Sequence, residues 1–518
     1  MTKPLLLIAI VSLPAFALAQ DAPKADKPVA TGVTIGPEGP VVAPPPGQPE
    51  SQPGQPVPSR RDEPQLHTLT ITPAAEPLPP LEYRFDVPFL QRKPGNSATF
   101  YYRAIVQLGE ETPEAQKEFE DLYTATHDLP PDQFPVEKAR EILSRYQDIF
   151  DELERATVRE RTDWNWHLDE LNGPEAISFR LTEIQEARHL ARLLYLKARL
   201  EIAEARFDDA EKTLRTGYAL ARAVAEPPTI INALVGIAIG SIMDAAVLDW
   251  IGKEGSPNAY WALSSLPDPL VDMRPALEYD LAFPFRFAPW LANAATDGAP
   301  PAVWRDRFAA LGEELNVVGD LIGGSLEPSQ AVLAGLALRS YSSAKQALVE
   351  EQGYSAEEVE TMPVGQVLAI RQSFIDRMIA DELLKAELVS SEAAADIVAR
   401  AEESLKERSL LQRPGLGREP LPLMALLAPA TRQAAQAEWR LSTKLAGLRV
   451  IEAIRMHAAA TGALPKSLAD IKVVPVPDNP TTGEPFAYRL EGEKAVLDVA
   501  VQGGHPSGDW RVELTLEK

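Results

Sequence analysis

Apolar residues recur at three- and four-residue intervals through most of this chain, and the pattern changes only near the C-terminal end. In PVEKAREILSRYQDIFDELERATVRER, Ile142, Tyr146, Ile149 and Leu153 share one helical face, and Pro135 suits a first helical position. Upstream, Asn96 or Ser97 can cap a helix whose body is ATFYYRAIVQL. Ile184, Leu190, Leu194 and Ala198 carry the period through 181–225, the longest helical stretch. Further helices are expected over 229–253, 301–315, 329–351, 363–385, 391–408 and 430–460, with Pro, Gly or Asp at nearly every break. After Gly462, PFAYRL, KAVLDVAVQ and WRVELTL are short, β-rich and separated by turn residues. The expected fold is mainly α: a multi-helix array of αα-hairpins with a small C-terminal α+β module. That module is one long helix plus two or three antiparallel strands.

The N-terminal stretch reads differently. Lys3, the apolar run Leu5 to Val11 and the small residues Ala17-Leu18-Ala19 form a secretory signal peptide, so the chain is expected to be exported to the periplasm or the extracellular space. From Asp21 to Pro80 proline is frequent, mixed with Gly, Gln, Ala and Glu. Such a stretch has too little apolar surface to offset the entropy of ordering, which makes it a semi-stiff tether. The expected division is a signal peptide at 1–19, a disordered Pro-rich tether at 20–80, a helical domain at 81–428 and a module at 429–518.

Composition narrows the possibilities. The chain has no cysteine, so disulfides cannot form. With Gln20 after the cleavage site, no lipid anchor is expected. At 518 residues and 45% hydrophobic content, apolar packing alone can support the fold. The charge is −24, from 75 acidic and 51 basic residues, which disfavours nucleic acid as a partner and accounts for solubility by self-repulsion. Ile230 to Met243, IINALVGIAIGSIM, raises a membrane question. The run is short of the ~20 apolar residues a span needs, and Asp244 and Asp249 follow closely. A buried core helix is expected, with Gly236 and Gly240 admitting a close neighbour, and no transmembrane segment in the mature chain.

Three segments carry resemblances. ARLEIAEARFDDAEKTLRTGYALARAV resembles one tetratricopeptide repeat, with Ala198, Phe207, Ala210, Leu214 and Gly217 at the spacing that packs two antiparallel helices. Lys197 and Glu201 stand there where apolar or aromatic residues are usual. RVIEAIRMHAAATGALPKSLADI with VPVPDNPTTGEPFAYRLEG resembles the globular part of a type II secretion pseudopilin. Its matching positions are Gly462, Leu464, Pro465, Leu468, Pro477, Asp478, Thr482, Gly483, Pro485, Phe486 and Tyr488. The resemblance implies a helix ending in a Gly-x-x-Pro turn, a loop and a small antiparallel sheet. The Asp-rich calcium loop of that family is replaced here by GGHPSGD, with only Asp509 available, so no metal is implied. Over residues 96–518 the chain also resembles a family of large exported bacterial helical proteins, which brings no activity with it.

Signatures of catalysis are scarce. The six histidines form no metal-ligand spacing, and neither phosphate loops nor nucleophile elbows occur. Ser342-x-x-Lys345 matches the spacing of penicillin-recognising enzymes without their partner motifs. No cofactor is expected. Two segments stand out as candidate binding surfaces. Asp163, Trp164, Trp166 and His167 in DWNWH could line a sugar-stacking cleft with one carboxylate for proton transfer, or plug the core. EYDLAFPFRFAPW offers Phe283, Phe285, Arg286, Phe287 and Trp290 in an irregular apolar loop that is either covered or presented to a partner. The favoured expectation is a non-enzymatic exported protein that binds or scaffolds other envelope or secreted proteins. The alternatives are a hydrolase or binding protein for envelope glycans or peptides, and an accessory of a secretion system.

Overall fold

A computed structural model describes residues 63–517, apart from 128, 174–181, 322–329, most of 390–427 and 502–507, together with a two-residue β-pairing at Ile35–Gly36 and Gly39–Pro40. The expected signal peptide, most of the tether and most of the helix expected at 391–408 lie outside the described residues.

The first described strand, β1, is Gln65–Ile71. Helices α1 (Ala98–Leu108), α2 (Pro113–Thr126), α3 (Val136–Leu143) and α4 (Gln147–Thr157) follow, with a short parallel pairing of β2 (Lys93–Asn96) on β3 (Arg159–Arg161). Next come α5 (Thr182–Ala203), α6 (Phe207–Ala225), α7 (Ile230–Gly252), α8 (Tyr260–Ser264), α9 (Arg274–Leu281) and α10 (Phe283–Phe287). Then follow α11 (Pro301–Leu321), α12 (Gln330–Glu350), α13 (Ala356–Thr361), α14 (Val364–Leu384) and α15 (Ala428–Thr461). Three strands close the chain: β4 (Ala487–Glu491), β5 (Lys494–Val499) and β6 (Trp510–Leu516). The fold is mainly α with a small C-terminal sheet, as the periodicities predict.

The long helical stretch breaks at Glu204–Arg206, where Ala205 takes φ +56°, and α5 packs back on α6, in line with the two antiparallel helices that the tetratricopeptide-like spacing implies. Lys197 and Glu201, the two positions that depart from the tetratricopeptide pattern, form the link between these helices. Lys197 Nζ donates to Glu201 Oε1 and to Thr213 Oγ1, both at 2.7 Å, and Thr213 Oγ1 donates to Glu201 Oε2 at 2.6 Å. A hydrogen-bonded polar staple thus occupies a site where the pattern usually has an apolar contact.

Helix α7 lies inside this body. Among the described residues it is the one helix long and apolar enough to cross a bilayer, yet 67% of its most apolar window is buried within the structure. Its Thr229 cap accepts from Asn232 N. Gly236 is needed for contact: a Cβ there would stand 2.5 Å from the Ala221 carbonyl oxygen of α6. The charges that argue against a span are paired internally, Asp244 with Tyr218 Oη at 2.9 Å and Asp249 with Arg199 at 2.6 Å.

Strand β1 falls within the stretch expected as a tether. Gln65–Ile71 pairs in parallel with β6 along its full length, from Gln65 beside Trp510 to Ile71 beside Leu516. The sheet order is β1-β6-β5-β4, so the antiparallel C-terminal strands gain a fourth strand from the other end of the chain. QLHTLTI has the alternation and β-branched content of a strand, with His67, Leu69 and Ile71 directed inward, although proline surrounds it in sequence.

One hydrophobic core runs from Ile71 through the helices to α15 and the sheet. A second, smaller core gathers around α10, Trp304 and the start of α14. Helix α14 joins them: Val367 to Ile370 belong to the smaller core, Ile375 to Leu383 to the larger. At the end of α15, Gly462 takes φ +76° and its N–H reaches the Ala458 carbonyl at 2.8 Å, the helix stop expected there.

Where α15 meets the rest, Arg455 and Glu452 are both fully buried and joined by two 3.0 Å bonds. Arg455 also donates to Ser256 O and Oγ at 2.8 Å and to Thr72 O at 3.1 Å. We expect Arg455→Met to cost about 3–5 kcal/mol in urea unfolding, because it strands a buried carboxylate, and adding Glu452→Leu to recover part of that loss.

His67 on β1 stands edge-on to Trp510 at 5.1 Å, with Lys444 Nζ 4.7 Å from the same ring. Burial, and then the Lys444 charge, lower its pKa to about 4 from an unfolded 6.5. The folded state therefore binds fewer protons, and this group costs stability as pH falls from about 6.5 towards 4. Comparing unfolding of the native chain with His67→Phe over that window should show the native chain losing up to about 3 kcal/mol more.

Candidate docking surface

The DWNWH segment was a candidate cleft, and its geometry is that of a plug. Asn165 and His167 take φ +56° and +47°, and both indoles pack against the core. Trp164 is buried, stacks on Tyr101 at 5.8 Å and donates from Nε1 to Ala223 O at 2.8 Å. Trp166 lies 5.4 Å from Trp164 and donates from Nε1 to Tyr102 Oη at 2.8 Å. The polar members face the other way: Asp163 is exposed with Asn96 clamping its backbone, and exposed His167 has Glu170 at 3.6 Å. The four side chains do not converge on a pocket, because indoles lined up with an apolar core gain more by leaving water than a carboxylate does.

The second candidate is helical instead of an irregular loop, forming α9, α10 and a 3-10 turn at Pro289–Leu291. Phe283 and Phe287 are buried and stacked at 5.2 Å, and Trp290 packs edge-on against Trp304 and Phe308 at 5.9 and 5.1 Å. Phe285 is half-buried beneath the Arg377 guanidinium at 5.2 Å. Arg286 covers the Tyr279 ring at 3.4 Å and lies 3.7 Å from Asp280, whose pKa burial raises to about 6. The chain's own helices cover this segment.

Other titratable groups are spent on structure. Asp244, buried, accepts from Tyr218 Oη; burial pushes its carboxyl up and nearby Lys444 down. Lys345 pairs with Glu360 at 2.6 Å, and Ser342 is exposed. Among the described residues no three His, Cys, Asp or Glu groups are placed to hold a metal ion.

What sequence reasoning missed lies between residues 78 and 93. Leu78 is 90% exposed, Leu81 47%, Phe89 81% and Leu90 93%. Phe85 and Val87, buried, anchor the segment between them. Leu81, Phe89 and Trp261 wall an open groove of about 390 Å³ with Arg84 and Arg92 beside them. The segment is pinned. Ser265 Oγ accepts from Phe85 N and Asp86 N at 3.1 Å, Arg84 N donates to Glu211 at 3.0 Å, and Lys93 N donates to Val158 O at 2.7 Å. Asp86 binds Arg92 at 3.0 Å and Arg222 at 2.8 Å. The signal available in sequence was VPFLQRKP, an apolar pair between prolines followed by two cations.

Comparison with family models, with curated proteins and with solved structures finds no match. The geometry therefore carries the functional argument by itself.

If the tryptophans are plugs, Trp164→Ala should cost about 3–5 kcal/mol in urea unfolding, while Asp163→Asn and His167→Gln should stay within about 0.5 kcal/mol of the native chain. The reverse ranking would restore the cleft.

Proposed function

We propose that the protein is an exported, non-enzymatic helical scaffold that docks other cell-envelope constituents on the face formed by residues 78–93. One observation carries this reading: Phe89 and Leu90, adjacent and almost fully exposed, stand on a segment whose backbone is fixed, and exposed Leu81 shares a groove wall with Phe89. Water contact at each is costly, at about 1.5–3 kcal/mol for a fully exposed Leu or Phe, so such a group marks a surface that a partner covers. Pinning the segment in advance lowers the ordering entropy that binding must overcome. The helical body, read as a stack of αα-hairpins, is the rigid support behind it.

Buried Trp164, half-buried Trp166 packed against it, and outward Asp163 and His167 favour the scaffold over the hydrolase alternative. An accessory role in secretion draws on a different feature, the outer strand β4, which among the described residues pairs on one side only. That edge is five residues long and carries outward Arg489 and Glu491, a composition that discourages strand addition. The apolar face supports docking more directly.

The test is the double variant Phe89→Ser, Leu90→Ser in the full chain. Both residues are exposed, so its unfolding free energy should lie within about 0.5 kcal/mol of native. Association with the envelope fraction should fall sharply; unchanged association would overturn the reading.

A further inference from the structure

The docking face carries information about what it docks to. The 3-10 turn Phe89–Gln91 buries none of its residues, so Phe89 and Leu90 project side by side from the surface. Immediately beyond them come exposed Gln91, Arg92 and Lys93. Within 78–93 there are three basic residues, Arg84, Arg92 and Lys93, against two acids, Glu82 and Asp86, the latter paired with Arg92, in a chain whose overall charge is −24. We propose that the partner is an anionic bilayer surface, with Phe89 and Leu90 entering the headgroup–acyl boundary while Arg84, Arg92 and Lys93 meet lipid phosphates. This inference rests on the docking reading above and adds the partner's chemistry.

Shape, charge and rigidity each favour lipid. Two adjacent apolar side chains standing clear of the surface fit a fluid phase that closes around them, whereas a folded partner needs a preformed pocket of matching form. The groove behind them joins an apolar wall, Leu81, Phe89 and Trp261, to the cations Arg84 and Arg92, with Asp86 also lining it and bound to Arg92. That is the pairing an acyl chain and its phosphate present. Trp261, half-buried with its Nε1 bonded to Glu76 at 2.6 Å, is an amphipathic ring of the kind that rests at bilayer interfaces. The acidic excess elsewhere does not forbid approach, because its repulsion is screened beyond ~10 Å at 0.1 M salt while the basic turn acts at contact. Two inserted side chains and a few cations give reversible, salt-sensitive attachment of the peripheral kind.

The experiment is sedimentation of the full chain with phosphatidylcholine vesicles, with and without phosphatidylglycerol. Binding should require phosphatidylglycerol, weaken as salt rises, and fall on the order of tenfold in Phe89→Ser, Leu90→Ser and severalfold in Lys93→Glu, with thermal melting unchanged in both. A native chain that stays in the supernatant with phosphatidylglycerol vesicles overturns the proposal, as does a double variant that sediments undiminished. Should vesicles fail while the same double variant still loses envelope association, the lipid is wrong and a protein occupies the face. If the variant changes neither, the docking reading fails as well.

Discussion

A charged pair held where charge is most costly organises this molecule. Arg455 and Glu452 have no exposed surface, and either alone would carry a desolvation penalty of several kcal/mol. They are tolerated because the guanidinium is engaged along each edge. It meets Glu452 on its own helix, Ser256 in the connection after α7, and Thr72 just past β1. Asn258 adds a bond to the Glu452 carbonyl at 2.9 Å, and Ala74 N reaches the Arg455 carbonyl at 3.3 Å. These groups lie hundreds of residues apart in the chain. Only the assembled fold brings them together, so the pair rewards one arrangement and penalises every other.

The same rule recurs between the other helices. Lys197, Glu201 and Thr213 join α5 to α6; Arg199 and Asp249 join α5 to α7; Tyr218 and Asp244 join α6 to α7. In a chain without cysteine no covalent link can fix how long helices slide along one another. Apolar packing is strong but non-directional, whereas a buried polar group has few acceptable partners and holds a register. Apolar burial gives this fold its stability, and these contacts select which helix faces meet.

Against that background the 78–93 face is an exception. Among the described residues the Phe, Tyr and Trp side chains other than Phe89 are buried or half-buried, and at Trp164 and Trp166 this goes with positive φ at Asn165 and His167. Phe89 and Leu90 are left outside by a backbone that is well bonded on both sides, with Phe85 and Val87 taking the inward places. The same chain thus buries its DWNWH indoles through two positive-φ residues and leaves two adjacent apolar side chains exposed on a hydrogen-bonded turn.

Much of the architecture was legible in the residues themselves. Three- and four-residue spacing reports which side of a helix is apolar, and proline and glycine report where a helix must stop, since both are local steric facts. The stop at Gly462, the core character of Ile230 to Met243 and the C-terminal strands follow from such signals. Other features depend on partners distant in sequence. β1 looks like part of a tether until Trp510 to Leu516 lies beside it, and no local pattern shows that pairing. Trp164 and Phe89 are both apolar residues beside turn formers, and composition cannot say which one faces solvent. Sequence alone set the elements, because helices and turns are decided within a few residues. The tertiary structure decided which surfaces were left over, because exposure is a property of everything else that packs nearby.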